Sequence, residues 1–118
     1  MVMVSGFTIV RNAVLLDFPV VESIRSILPL CDEVVVNVGA SDDDTLDLVR
    51  SIGDPKVRIL ETVWDFSKRQ TLLADETLRA MRACRGSWGV CVQADEVLPV
   101  AEHPVERAVG DRLMPVGP

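Results

Sequence analysis

The residues best suited to chemistry are two adjacent carboxylates, Asp95 and Glu96, that follow an apolar run late in the chain. The run is WGVCVQ, Trp88 to Gln93, and only Ala94 separates it from the acids. Carboxylates at the end of a buried strand repel one another unless a cation offsets them, as Mg²⁺ or Mn²⁺ does with substrate phosphates as further ligands. Asp95 is therefore the best single candidate for a metal ligand, although a solvated loop or a helix cap is the commoner origin of an acid pair.

A second acidic cluster, SDDDT, extends from Ser41 to Thr45. Ser41 or Asp42 could cap a following helix, and acids suit the positive end of the helix dipole. Three consecutive acids exceed what capping needs, but a solvated helix face would also carry them. Arg11 could neutralise one of these acids or reach a phosphate.

Strands and helices must position these residues, and their pattern alternates along the chain. Each predicted helix follows a predicted strand, and Gly53 is expected to end the second helix. The predicted strands are Met3 to Val10, Glu33 to Gly39, Lys56 to Thr62 and Trp88 to Gln93, and the predicted helices run from about Asp17 to Leu28, Ser41 to Ile52 and Ser67 to Cys84.

This order predicts an α/β fold with three layers, in which a mostly parallel sheet of about four strands carries helices on both faces, as in Rossmann-like domains. Ligands in such folds bind beyond the carboxyl ends of the strands, near the point where strand order reverses. The polar residues expected at those ends are Arg11, Asn12, Ser41, Asp42, Asp43, Asp44, Glu61, Thr62, Trp64, Asp65, Gln93, Asp95 and Glu96.

Composition argues against several classes of function. The net charge is −6, from 12 basic and 18 acidic residues, which disfavours binding to the phosphate backbone of nucleic acids. Aromatic residues make up 4% of the chain and tyrosine is absent, which disfavours a base-stacking surface. No glycine-rich phosphate loop occurs, and the single histidine, His103, is predicted to be a solvated surface residue. No apolar run approaches the roughly 20 residues of a membrane span.

The cysteines, Cys31, Cys84 and Cys91, are odd in number and form no C-x-x-C pair. A disulfide framework or a zinc site is therefore not expected, and a reducing, cytoplasmic setting fits better. Cys84 and Cys91 have apolar neighbours and are predicted to be small core residues.

Two regions are predicted along the chain. Residues 1–98 form the sheet-containing part, and residues 99–118 are a proline-rich tail that is irregular or holds one short helix around Glu102 to Val109.

Three segments resemble the amino-terminal, donor-binding half of a family 2 glycosyltransferase with the GT-A fold. They are GFTIVRNA, ESIRSILPLCDEVVVNVGASDDDTLDLV and RGSWGVCVQADEVL, and the resemblance covers roughly residues 4 to 98. It implies that residues 1–98 bind a nucleotide-diphosphate sugar. By this resemblance the nucleotide-sugar-binding residues are Arg11, Asn12, Asp43, Gln93 and Asp95, with Asp95 also contacting a divalent metal, Mn²⁺ or Mg²⁺.

The sequence departs from the family pattern at two positions. Gln93 replaces the first acid of the D-x-D motif, and the acid that usually follows strand two falls at Val38 or Gly39. The resemblance also implies a second, acceptor-binding half, which the proline-rich tail does not resemble. The expected activity is therefore glycosyl transfer only if that half is supplied, with the isolated chain inactive and its catalytic base unknown.

Two alternatives stay open. One is a non-catalytic binding domain derived from the same fold. The other, ranked last, is a receiver-like phospho-acceptor domain, which requires an acid pair after strand one, where this chain has Arg11 and Asn12. Because an uncovered sheet would expose apolar surface, we also expect either a homodimer or a tail that folds back over the sheet.

Overall fold

The structure is a computed structural model, and it describes residues 3–93 and 113–116. Its elements follow the alternation that the sequence predicts, with one additional strand at the end. They are β1 (Val4–Val10), α1 (Val20–Ile27), β2 (Glu33–Gly39), α2 (Thr45–Arg50), β3 (Val57–Thr62), α3 (Leu72–Arg82), β4 (Trp88–Cys91) and β5 (Leu113–Pro115), with short 3₁₀ turns at Leu28–Leu30 and Phe66–Lys68.

The five strands form one sheet in the order β3-β2-β1-β4-β5. The first four are parallel to one another, and β5 pairs antiparallel with β4. The chain moves outward from β1 through β2 to β3 and then crosses back to place β4 on the other side of β1. Strand order therefore reverses at β1, and the crevice expected to hold a ligand lies beyond the carboxyl ends of β1 and β4.

The valine-rich strand β2 shows why the sheet is covered on both faces. All seven of its residues are buried. Val34, Val36 and Val38 pack in the cluster that includes α1 and α2, whereas Val35 packs with Phe7 on the α3 side. Side chains alternate between the two faces of a strand, so a continuous apolar run requires cover on both. The predicted three-layer α/β class is confirmed.

Helix starts differ from the sequence-based expectation. The helix predicted from Asp17 begins at Val20, because Asp17 has a φ of 57° and Pro19 occupies the N-cap position. The helix predicted from Ser67 is interrupted: Asp65 accepts a hydrogen bond from the Ser67 N–H at 3.0 Å and starts a separate 3₁₀ turn. At the end of α2, Gly53 has a φ of +67°, a left-handed conformation that glycine adopts without strain.

The carboxyl-terminal region contributes a strand that the sequence pattern did not predict. The Val116 N–H donates to the Ser87 carbonyl at 3.2 Å, and Met114 and Val116 pack against the cluster around Phe7. The helix predicted around Glu102 to Val109, with His103, lies outside the described residues. The division at residue 98 stays a prediction.

Candidate functional site

The loops after β1 and β2 are joined by reciprocal hydrogen bonds. The Asn12 N–H donates to Ser41 Oγ at 3.0 Å, and the Asp42 N–H donates to Asn12 Oδ1 at 2.8 Å. Asn12 has a φ of 53°, a left-handed conformation that asparagine tolerates better than most residues. Asn12 therefore holds the two loops together at the carboxyl edge of the sheet.

Asp43 makes the same connection with its carboxylate. Its two oxygens accept the Leu15 N–H at 2.9 Å and the Thr45 N–H at 2.9 Å, and the Thr45 hydroxyl also donates to it. Desolvation would raise the pKa of Asp43, but the hydrogen bonds from Thr45, Leu15 and the Val14 backbone outweigh it and hold that pKa below its ordinary value. Asp43 is thus ionised at neutral pH, and both of its carboxylate oxygens already accept hydrogen bonds from other residues of the protein.

These contacts explain why α2 starts later than the sequence suggests. Ser41 and Asp42, the predicted caps, face the β1 loop, and α2 begins at Thr45 without a side-chain cap. The excess of acids over capping needs is used partly to hold the two loops in place.

Arg11 links the β2 loop to the segment after β3. Its Nε donates to the Ala40 carbonyl at 3.0 Å, and its Nη2 lies 3.5 Å from Asp42 Oδ2. The guanidinium carbon lies 4.6 Å from the centre of the Phe66 ring, which is a cation–π contact. The Arg11 side chain remains 27% exposed, so part of its charge faces solvent.

A cleft of about 550 Å³ opens at the carboxyl ends of β1 and β4, where strand order reverses. Arg11, which follows β1, and Gln93, which follows β4, both line it. The Gln93 carbonyl accepts a hydrogen bond from Ser23 Oγ at 2.8 Å, which fixes the end of β4 against α1. The remaining lining residues are Thr8, Ile9, Val10, Leu16, Phe18, Trp64, Phe66, Leu73, Thr77, Cys91 and Val92.

A second cleft, of about 410 Å³, lies between the ends of β2 and β3. Asp43, Asp44, Asp47 and Glu61 line it, so the predicted site residues are divided between two clefts. Within residues 3–93 and 113–116, no group of three or more His, Cys, Asp or Glu side chains is arranged to hold a metal ion. Asp95, the predicted metal ligand, lies outside the described residues.

Aromatic residues contribute more to the larger cleft than their scarcity in the sequence suggested. Three of the five in the chain, Phe18, Trp64 and Phe66, line the larger cleft. The indole of Trp64 lies against Gly39, where a Cβ would approach its Cε2 atom to 2.6 Å. A glycine at the end of a buried strand and a tryptophan soon after the next strand are the signal that could have predicted this contact.

The cysteines are all free thiols. Burial raises the pKa of Cys31 to about 12 and that of Cys84 to about 11, so neither is a nucleophile near neutral pH. The prediction that Cys84 is a core residue is confirmed, and Cys91 is half-buried in the wall of the larger cleft.

No known family model matches the chain, and no curated protein matches it. Solved structures do match. S. aureus TarS (residues 1–349) in complex with UDP superposes with a TM-score of 0.61 at 18% identity, over 81% of this chain and 28% of that one.

Two further matches are sugar-phosphoglycerate synthases. The Mycobacterium tuberculosis glucosyl-3-phosphoglycerate synthase, in complex with Mn²⁺, UDP and phosphoglyceric acid, gives a TM-score of 0.58 at 21% identity, over 81% of this chain and 34% of that one. The mannosyl-3-phosphoglycerate synthase from Rubrobacter xylanophilus gives a TM-score of 0.59 at 21% identity, over 83% of this chain and 33% of that one.

At these identities the matches show the fold. The chain has the fold of the amino-terminal half of a GT-A glycosyltransferase domain, as the resemblance implied. It spans about a third or less of the length of the structures it matches. In the part of the chain that the structure describes, no helix is both long enough and apolar enough to cross a bilayer.

Proposed function

We propose that this chain binds a nucleotide-diphosphate sugar at the carboxyl ends of β1 and β4, as the donor-binding half of a family 2-like glycosyltransferase. One observation carries the proposal: Arg11 and Gln93 both line a cleft at the point where strand order reverses, in a fold shared with proteins solved with UDP. This is the position where open α/β sheets bind their ligands.

Each predicted site residue takes a role that its contacts suggest. Arg11 offers a partly exposed guanidinium that can pair with a phosphate oxygen. Gln93 lines the same cleft and could contact the same ligand. Asn12 and Asp43 act indirectly, because their polar atoms already form hydrogen bonds between the loop after β1 and the loop after β2. The first of these loops carries Arg11.

The proposed metal depends on Asp95. The described residues do not form a metal centre by themselves, so the protein would supply few ligands and the diphosphate would supply others. A divalent ion bound there would offset the charge that develops on a departing diphosphate. Among the matches, the glucosyl-3-phosphoglycerate synthase holds Mn²⁺ together with UDP.

Thermal unfolding with Mn²⁺, UDP, or both tests this proposal. A ligand at 100 times its Kd stabilises the folded state by about 2.7 kcal/mol. We expect Mn²⁺ and UDP together to raise the Tm of the wild type, and Asp95→Asn to lose the part of the increment that needs Mn²⁺. Asp75→Asn is the matched control, since Asp75 is an exposed acid on α3 outside the cleft lining. Equal increments in all three proteins would remove Asp95 from the site, and no increment in any would contradict the proposed function.

A binding domain without turnover is the second candidate, and the replacement of an acid by Gln93 favours it. Incubation of the purified 118 residues with a UDP-sugar and a panel of acceptors distinguishes the two. The binding-domain proposal expects no transferred sugar and at most slow hydrolysis, whereas robust transfer would contradict it.

Because the cysteines are free thiols, we also propose that the protein works in a reducing compartment such as the cytoplasm.

A further inference from the structure

We propose that the indole face of Trp64 stacks on the base of the bound nucleotide, and that its orientation is set from the buried residue Glu76 through Asn37 and Thr62. This inference rests on the proposed function, because it concerns where within the same cleft the base lies. It assigns a role to four residues that the family resemblance left without one.

The contact between Trp64 and Gly39 comes first. A Cβ at position 39 would lie 2.6 Å from Cε2 and 2.7 Å from Nε1 of the indole. Only glycine therefore allows the ring to rest on the end of β2. The aromatic surface of Trp64 therefore covers the end of β2.

A chain of hydrogen bonds then fixes the ring. The Trp64 Nε1–H donates to Thr62 Oγ1 at 3.1 Å, and the Thr62 hydroxyl donates to Asn37 Oδ1. The Asn37 amide donates to Glu76 Oε1 at 3.0 Å and to the Glu76 carbonyl at 3.1 Å.

The hydrogen-bonded residues farthest from Trp64 lie in the protein interior. Asn37 is fully buried and Glu76 is 3% exposed, so both belong to the buried interface between the sheet and α3. Arg79 lies 3.5 Å from the Glu76 carboxylate and balances its charge. Buried polar groups that satisfy one another in this way specify a single arrangement.

The same hydrogen bonds determine which groups Trp64 can present to a ligand. Its only donor group is already used by Thr62, so the ring presents aromatic surface and no hydrogen bond. Phe66 and the guanidinium of Arg11 stand in the same cleft, 4.6 Å apart. A flat apolar surface beside a positive charge suits a nucleobase joined to a diphosphate.

Fluorescence tests the inference, because the chain has only two tryptophans. Trp88 begins β4 at the opposite end of the sheet, so Trp88→Phe leaves Trp64 as the only reporter near the cleft. We expect UDP to quench the emission of Trp88→Phe saturably, uridine to do so at higher concentration, and pyrophosphate to leave it unchanged. Calorimetry on the same protein measures UDP binding independently of the reporter.

Substitutions at Trp64 test the stacking itself. Stacking of a base on an aromatic side chain is worth about 1–3 kcal/mol, so Trp64→Leu should weaken UDP binding about 5- to 150-fold. Trp64→Phe keeps an aromatic face and should retain most of the affinity. Unchanged affinity in Trp64→Leu, with UDP still binding, would overturn the stacking role and leave the proposed function intact.

Thr62 tests the positioning role, since it does not line the larger cleft. Thr62→Val keeps the branched shape but removes the hydroxyl that joins Trp64 to Asn37 by hydrogen bonds. It should weaken UDP binding severalfold while the circular dichroism spectrum stays unchanged. Thr62→Ser restores the hydroxyl and should rescue the affinity. Equal affinity in both variants would remove Asn37, Thr62 and Glu76 from the proposal. Failure of UDP to bind any folded variant, the Trp88→Phe protein included, would reject both the proposed function and this inference.

Discussion

Replacement of Glu33 by glutamine should destabilise the protein far more than any exposed charge substitution. Glu33 begins β2, is 4% exposed and accepts hydrogen bonds from Ser5 Oγ at 2.6 Å, Arg58 Nη1 at 2.6 Å and the Arg85 N–H at 2.5 Å. Every one of these bonds is donated to the carboxylate. An amide at position 33 must therefore turn its own N–H groups toward at least one donor.

The size of the effect follows from these contacts. Breaking a buried ion pair by removing one partner costs about 3–5 kcal/mol, and glutamine keeps one oxygen, so we expect about 3 kcal/mol. At about 2.1 cal/mol/K per residue, unfolding of a domain of this length carries an entropy of roughly 250 cal/mol/K near its Tm, so the Tm should fall by about 12 °C. A loss of about 3 kcal/mol is a large part of the net stability of a typical domain, which is about 5–15 kcal/mol.

The pH dependence has a definite sign. Desolvation alone would raise the pKa of Glu33, but the hydrogen bonds from Ser5, the Arg85 backbone and Arg58 outweigh it and lower that pKa below its ordinary value of 4.5. Glu33 therefore contributes stability that is fully present above about pH 4.5 and is lost as pH falls toward the lowered folded-state pKa. Glu33→Gln should lack this part of the acid dependence.

Urea unfolding followed by circular dichroism, at pH 7 and across the acid range, measures both effects. Glu61→Gln is the control: Glu61 pairs with Arg50 at 3.4 Å, both side chains are more than half exposed, and the loss should stay within about 0.5 kcal/mol. If the two variants lose equal stability, or if Glu33→Gln keeps the wild-type acid dependence, the reasoning from buried hydrogen bonds is refuted.

Two other predictions follow from the edges of the site and of the sheet. Gly39→Ala should displace the Trp64 ring and cost about 1–3 kcal/mol, the usual range for overpacking, with a changed indole emission spectrum; an unchanged spectrum and unchanged stability would contradict the contact. Deletion of residues 113–118 should expose the edge of β4 and promote self-association at micromolar concentration, measured by sedimentation velocity. The 118-residue chain is the control, and a truncated chain that remains monomeric would argue against this and against the expected homodimer.

The sequence predicted the central strands well because their burial dominates every other signal. The run from Glu33 to Gly39 is a strand with the predicted bounds, because valine favours strands and a strand buried on both faces carries a near-continuous apolar run. The interruption at Asp65 was not predicted, because whether a carboxylate caps a short turn or continues a helical pattern depends on the surrounding backbone. Strand β5 was not predictable from three residues ending in proline, since only the exposed edge of β4 makes them a strand.

The candidate site was predicted unevenly for a similar reason. Strand order placed Arg11 and Gln93 at one edge of the sheet, and the structure brings both into one cleft. Residue type alone did not reveal that Asp43 accepts hydrogen bonds from the neighbouring loop, nor that Gly39 and Trp64 touch. Both contacts depend on side-chain packing between segments that are distant in sequence.

The order of strands in the sheet has a consequence for biosynthesis. β1 is made before the other strands of this sheet, yet Ser5 Oγ accepts a hydrogen bond from the Gly86 N–H 81 residues later. β4 then needs β5, made later still, for its other edge. During translation, β1, β2 and β3 can associate early, while the second side of β1 waits for β4 to leave the ribosome. Until then Phe7 has no complete cover, and the nascent chain presents an apolar strand of the kind that chaperones bind.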